Sequence, residues 1–330
     1  MPSLPAPLAR AVDVALEATV APSFSRLGYD VRSRLEGWRP LEELPGTGQR
    51  VLVTGANSGL GYAAARALLR SGAQVLLVVR SEHKGEDTLD RLSSDLGRDV
   101  RGDATYDLAD LADLASVRAL AGRILADDTR LDVLIHNAGA MFEERAETDD
   151  GLERTYQIHV VGPFLLTSLL LPKLAEEAPT RVITVTSGGM YAEKLVTARV
   201  DSPGQFKPTV SYARAKRAQV TLTREWSRRF GGYGIRFHVA HPGWALTPGV
   251  ESSLPGFRKL TGPVLRDPDQ GADTIVFLAL AEADELGNGR LWHDRRPRSQ
   301  HKVPWTRPEP GEADKLWERV CADAGAEPVV

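Results

Sequence analysis

The sequence predicts an α/β protein built on a doubly wound parallel sheet. Three observations carry that expectation. Short β-branched runs alternate with helical periodicity from residue 50 to about 293. The runs lack polar alternation, as strands buried on both faces do. A glycine-rich turn joins the first run directly to the first helix.

Residues 49–54 form the first apolar run, followed by a helical pattern over 60–71 that Gly72 closes. Residues 74–79 form the second run, and 131–136, 181–186 and 234–240 repeat its character. Helical stretches over 114–126, 151–174 and 211–230 separate the later runs, which calls for helices on both faces of the sheet and three layers in all. Residues 1–48 lie outside this alternation and read as an N-terminal arm with six prolines. The main domain spans 49–300, and its Pro- and Gly-rich segment 247–268 follows the last large strand, where such folds open their ligand crevice, so it reads as a substrate lid. Residues 301–330 form a tail with a short helix over 312–322.

Bulk composition narrows the function. The 330 residues carry 41 Lys and Arg against 44 Asp and Glu, a net charge of −3, so no basic excess exists to neutralise nucleic-acid phosphates. The single cysteine, Cys321, allows no internal disulfide and no metal cluster, which suits a reducing, cytoplasmic setting. No run approaches the roughly 20 apolar residues that span a bilayer. Residues 8–20 fit a short amphipathic helix that reads as a packing arm, with peripheral membrane contact as the alternative.

The glycine-rich turn places Gly55, Asn57, Ser58, Gly59, Leu60 and Gly61 between a strand and a helix. Glycines let backbone N–H groups approach a pyrophosphate, and the helix N-terminus favours an anion. Enzymes that prefer NAD hold the ribose with an acid about 20 residues further on. Here Val79 and then Arg80 stand at that strand end, and a guanidinium suits a 2′-phosphate, so NADP(H) is expected over NAD(H). Tyr212 and Lys216 are spaced i, i+4 on one helix face. An ammonium beside a phenol favours the phenolate, which makes the pair a sensible acid/base. Ser187, at the end of the run 181–186, can hold a substrate oxygen, and Asn137, Ala138 and Gly139 reach the same sheet edge.

With these residues in view, the chain resembles the short-chain dehydrogenase/reductase family. Residues 54–61 (TGANSGLG) match its TGxxxGxG motif and 137–139 its NAG motif; Ser187, Tyr212 and Lys216 match its Ser…YxxxK set. Pro242 and Gly243, followed by Thr247, match its PG…T element. Residues 182–190, 241–250 and 270–274 resemble the subgroup of dehydrogenase/reductase family member twelve. The resemblance implies a Rossmann fold with strand order 3-2-1-4-5-6-7. It implies Lys216 on the nicotinamide ribose, Thr247 on the carboxamide, and Asn137–Gly139 beside the adenosine ribose. Asp110 and Leu111 match the adenine-contacting Asp-Leu, with Asp107 and Leu108 competing. It also implies a homodimer through 151–174 and 211–230, a surface the arm could instead cover.

One departure concerns the family's fourth catalytic residue, an Asn that holds a water in the proton relay; His159 stands in its place. A ring nitrogen can donate or accept, so His159 either substitutes in the relay, impairs proton supply, or packs within its helix. The expected activity is hydride transfer between NADP(H) and a carbonyl or alcohol. Trp244, Leu246, Val250, Leu254, Phe257 and Leu260 near the lid point to a lipophilic substrate. The alternative is an NADP(H)-binding sensor or scaffold with little turnover.

Overall fold

A computed structural model describes residues 6–246, 261–282 and 286–330. Helices α1 (Ala6–Glu17) and α2 (Arg26–Glu36), with the four-residue helical turn Ala21–Phe24 between them, precede the sheet domain. There follow β1 (Arg50–Thr54), α3 (Gly59–Arg70), β2 (Gln74–Val79), α4 (Glu82–Leu96), β3 (Ala104–Leu108), α5 (Leu114–Ala126) and β4 (Val133–His136). The second half runs through α6 (Arg154–Glu176), β5 (Thr180–Val185), α7 (Pro208–Phe230), β6 (Ile235–Ala240), α8 (Pro268–Leu280), β7 (Arg290–His293), β8 (Arg296–Arg298) and α9 (Glu312–Ala324).

One sheet takes the order β3-β2-β1-β4-β5-β6-β7-β8. Every pairing is parallel except the last, where β8 runs antiparallel to β7. The expected seven-strand order is therefore extended by one strand, a hairpin return after β7 that a three-residue, arginine-flanked segment does not announce. Successive residues of β1 divide the core. Leu52 joins Val117, Leu165, Leu222 and Trp226 on one face; Val51 and Val53 join Leu68, Leu92 and Ile275 on the other. Burial on both faces is why the central strands read as continuous apolar runs.

By length and hydropathy α6 could span a membrane, against the expectation that no run would. It is a core helix instead, since 72% of its apolar window is buried inside the fold. The C-terminal helix α9 lies across α6 and α7. Leu316, Trp317 and Val320 enter the core there, and the Trp317 ring stands 4.7 Å from Trp226 and 5.0 Å from Phe164. The chain's own tail thus covers part of the surface of the two helices named for a dimer.

Candidate active site

The glycine turn is stitched to the neighbouring strand end. Thr54 Oγ1 accepts from the backbone N–H groups of Asn137 (3.0 Å) and Ala138 (3.1 Å), and Asn137 Nδ2 donates to the carbonyls of Thr54 and Gly55 at 3.0 and 3.2 Å. A Cβ at Gly61 would stand 2.4 Å from Asn137 Nδ2, and one at Gly55 2.8 Å from Ala138 Cα, so neither position admits a side chain without movement. Behind this turn α3 starts at Gly59, and Ser58 makes no side-chain cap. The first-turn amides are left to face the sheet edge, a cradle that suits an anionic pyrophosphate. The residues present thus fit the expected dinucleotide.

Around the same rim, Val79 is buried and Arg80 exposed at the end of β2. Asp107 is engaged within β3 by Arg123, with Nε 2.9 Å from Oδ1, whereas Asp110 lies beyond the strand and accepts from Ala112 N–H at 2.9 Å. Of the two competing Asp-Leu pairs, Asp110-Leu111 is the one past the carboxyl edge. A second cation that sequence reading missed is Arg91, which donates to the Asn57 carbonyl at 3.2 Å and sits 4.4 Å from the Tyr62 ring centre. It belongs to the polar outer run of α4, where nothing in the pattern distinguishes it.

Ser187, Tyr212 and Lys216 are brought together. The carbonyl of Lys216 accepts from Thr186 Oγ1 at 3.1 Å, which ties α7 to the end of β5. Ser187 lies close enough to the Tyr212 phenol to lower its pKa by hydrogen bonding, and Lys216 Nζ lies 5.3 Å from the Tyr212 ring centre. Lys216 is only 3% exposed and donates to the Val185 carbonyl at 2.9 Å. Burial pushes Tyr212 up to about 12, against the lowering effect of the Ser187 hydrogen bond. Burial pushes Lys216 down to about 7. Burial, not a neighbouring ammonium, therefore sets the direction of the Tyr212 shift, contrary to the expected lowering. A phenol so raised holds its proton at neutral pH and can donate it.

His159 lies in a π-helical turn, Gln157–Val161, inside α6. Its Nε2 is 2.8 Å from the Ala140 carbonyl and 3.3 Å from the Ala140 N–H, which ties the helix to the segment after Gly139. Burial, reinforced by the Lys216 charge and opposed by the Ala140 hydrogen bond, lowers its pKa to about 3, so the ring is neutral. The carbonyl of His159 accepts from Gln219 Nε2 at 2.8 Å. Gln219 stands two turns after Tyr212, a spacing that could have flagged it. Behind these residues is a cavity of about 30 Å³, lined in part by His136, Thr167, Gln219 and Thr223, with room for one or two waters.

Beyond β6, Pro242 is buried and Gly243 half-buried. His241 Nδ1 accepts from Gly243 N–H at 2.8 Å, which places the ring proton on Nε2. Trp244 and Leu246 are half-buried here, while Thr247, Val250, Leu254, Phe257 and Leu260 lie outside the described residues.

Strand order, glycine cradle and the Ser187–Tyr212–Lys216 cluster define a class of nucleotide-dependent oxidoreductase. The sequence profile of short chain dehydrogenase matches residues 49–256, and the chain belongs to the short-chain dehydrogenase/reductase family. It is 39% identical to human dehydrogenase/reductase SDR family member 12 over 274 residues, 82% of this chain and 84% of that protein. Mouse retinol dehydrogenase 12 is 32% identical, covering 83% and 85% of the two chains. Among solved structures, a Mycobacterium paratuberculosis protein matches with a TM-score of 0.69 at 28% identity, over 88% of this chain and 99% of that one. The Pseudomonas aeruginosa RhlG/NADP active-site complex matches with a TM-score of 0.60 at 26% identity, over 77% and 96%.

Proposed function

We propose that this chain reduces a lipophilic carbonyl compound, or oxidises the corresponding alcohol, with NADP(H) preferred over NAD(H). The observation that carries the reading is the convergence of Ser187, Tyr212 and Lys216 at the end of β5, where Thr186 Oγ1 is tied to the Lys216 carbonyl and Lys216 Nζ lies 5.3 Å from the Tyr212 ring centre, across the sheet edge from the glycine cradle.

Bound NADPH would supply the hydride. On this reading Ser187 orients the substrate oxygen, and Tyr212, protonated at neutral pH, gives that oxygen its proton as the carbonyl carbon is reduced. Lys216 holds the ribose hydroxyls and adjusts Tyr212. Gly55, Asn57, Ser58, Gly59, Leu60 and Gly61 hold the pyrophosphate, with Asn137, Ala138 and Gly139 at the adenosine ribose and Asp110 and Leu111 at the adenine. Pro242 and Gly243 lie at the nicotinamide, and the family likeness assigns Thr247 to its carboxamide. His159, neutral and tied to Ala140, acts as a positioning residue rather than a proton carrier. Arg80, unopposed by an acid at its strand end, favours the 2′-phosphate. The half-buried Trp244 and Leu246, and relatives named for the lipophilic alcohol retinol, support an apolar substrate.

A second reading, an NADP(H)-binding sensor with little turnover, is favoured by one observation: the His159 side chain, which stands where the family has its catalytic Asn, is turned to the Ala140 carbonyl at 2.8 Å. NADPH consumption against nonanal, benzophenone and menadione separates the two. Turnover supports the enzyme; tight NADPH binding without turnover, relieved by His159→Asn, supports the sensor.

A further inference from the structure

The arm contributes nothing to the sheet, yet it reaches the catalytic edge. Phe24, at the end of a four-residue helical turn between α1 and α2, is 3% exposed and fills the space between two loops. One follows β5, carries Ser187 and leads into Tyr191, whose ring stacks on Phe24 at 6.0 Å. The other follows β6, where the Phe24 ring lies 4.5 Å from His241 and 6.2 Å from Trp244. The contact is close on both sides. A Cβ at Gly188 would stand 2.9 Å from His241 Nε2 and 3.4 Å from the Phe24 ring, and the Phe24 carbonyl accepts from Trp244 N–H at 2.7 Å.

The turn that presents Phe24 is locked by buried charge. Arg32 on α2, with a fully buried side chain, donates to Asp294 Oδ2 at 2.6 Å, Asp13 Oδ1 at 2.7 Å and the Ser23 carbonyl at 3.1 Å. Arg266 completes the clamp from the far side. It donates to both carboxylate oxygens of Asp294, at 2.6 and 2.9 Å, and to the carbonyls of Ser23 and Ser25 that flank Phe24, at 3.1 and 3.2 Å. Arg266 also lies where a Gly243 side chain would be, 2.4 Å from its Cβ. Buried ions are costly unless fully paired, so a mere surface appendage gives no reason for such a cluster.

Resting on the oxidoreductase reading above, we propose that the arm is a working part of the active site, in which Phe24 is a positioning residue that sets the Ser187 loop against the Pro242–Gly243 loop. The buried relay Arg32–Asp294–Arg266 fixes Phe24 in that place. The arm thereby governs alignment of the substrate oxygen with Ser187 and Tyr212, and because the Phe24 ring packs on Tyr191, His241, Trp244 and His293, its loss is expected to leave the glycine cradle in place.

The test uses the full chain with Phe24→Ala and Phe24→Leu. Three readouts are compared: kcat and KM for whichever of nonanal, benzophenone or menadione the wild type reduces, NADPH affinity by fluorescence, and backbone hydrogen exchange. Phe24→Ala is expected to lower kcat/KM roughly tenfold to a hundredfold, as small misplacements of reacting groups do, with NADPH affinity changed less than about threefold. Exchange should quicken at Gly189, Met190, Gly243 and Trp244 and stay unchanged in α3. Phe24→Leu should restore thermal stability but only part of kcat. Wild-type kcat/KM in Phe24→Ala, or exchange that rises uniformly through the sheet, overturns the proposal. If the wild type reduces none of the three probes, it is the oxidoreductase reading that fails, and exchange at the two loops alone decides the role of the arm.

Discussion

The ring of His159 stands edge-on to the ring of Tyr212, with centroids 5.3 Å apart and planes at 87°. The neutral imidazole therefore supports the phenol through packing and through its tie to Ala140, not through charge. Its pKa, lowered to about 3 by burial and by Lys216, lies below the working range of a neutral-pH enzyme. The pH dependence of kcat/KM should show no His159 ionisation between about pH 5 and about pH 9, and His159→Asn should shift the height of the profile without moving its limbs. An acid limb that disappears in His159→Asn would contradict this assignment.

Lys216 makes a prediction about stability whose sign follows from its burial. The group titrates near 10.5 when free and is pushed down to about 7 in the fold, so below about pH 7 the folded chain carries the cost of a buried charge. Between about 7 and 10.5 the unfolded chain holds the extra proton, and that cost fades as pH rises. Lys216→Met should therefore raise the stability at pH 6 by an amount on the order of a few kcal/mol, seen as a higher melting temperature, with the gain shrinking towards pH 10. Thermal melts across this range check it. A gain that grows with pH would mean the ammonium is stabilised, not penalised, by its surroundings.

Arg80 stands exposed after the buried Val79. If it meets the 2′-phosphate, Arg80→Ala should weaken NADPH roughly tenfold or more while NADH affinity stays within about twofold. Isothermal titration with both dinucleotides decides the point, and equal losses for the two would remove Arg80 from phosphate recognition.

The position of α9 bears on assembly. Because Trp317 packs on Phe164 and Trp226 across α6 and α7, α9 covers part of the face expected for a dimer, and light scattering should give the mass of one chain. Trp317→Ala should cost about 3–5 kcal/mol in denaturant unfolding, the usual price of a large aromatic removed from a core. A dimer that survives with α9 in place would have to use a surface that α9 leaves uncovered.

Much of this architecture is legible in the sequence because the physics is local. The central strands betray themselves by burial on both faces, and the glycine turn by its place between strand and helix. Ser187, Tyr212 and Lys216 converge because the parallel strands end on one edge and α7 passes the end of β5 there. What the sequence hides is long-range or marginal. The edge strand β3 is half-exposed and polar, so its alternation is weak. Phe24 and Arg32 act across more than 200 residues of chain, on Trp244 and Asp294, and no local period can announce such contacts. The depression of Lys216 likewise follows from burial, which spacing alone does not reveal.

The most direct test is NADPH consumption by the wild type beside Tyr212→Phe, with nonanal, benzophenone and menadione offered in turn. The account predicts turnover in the wild type and a loss of at least about a hundredfold in Tyr212→Phe, with NADPH binding retained. Equal turnover in the two proteins would show that the phenol is not the proton donor and would contradict the account at its centre.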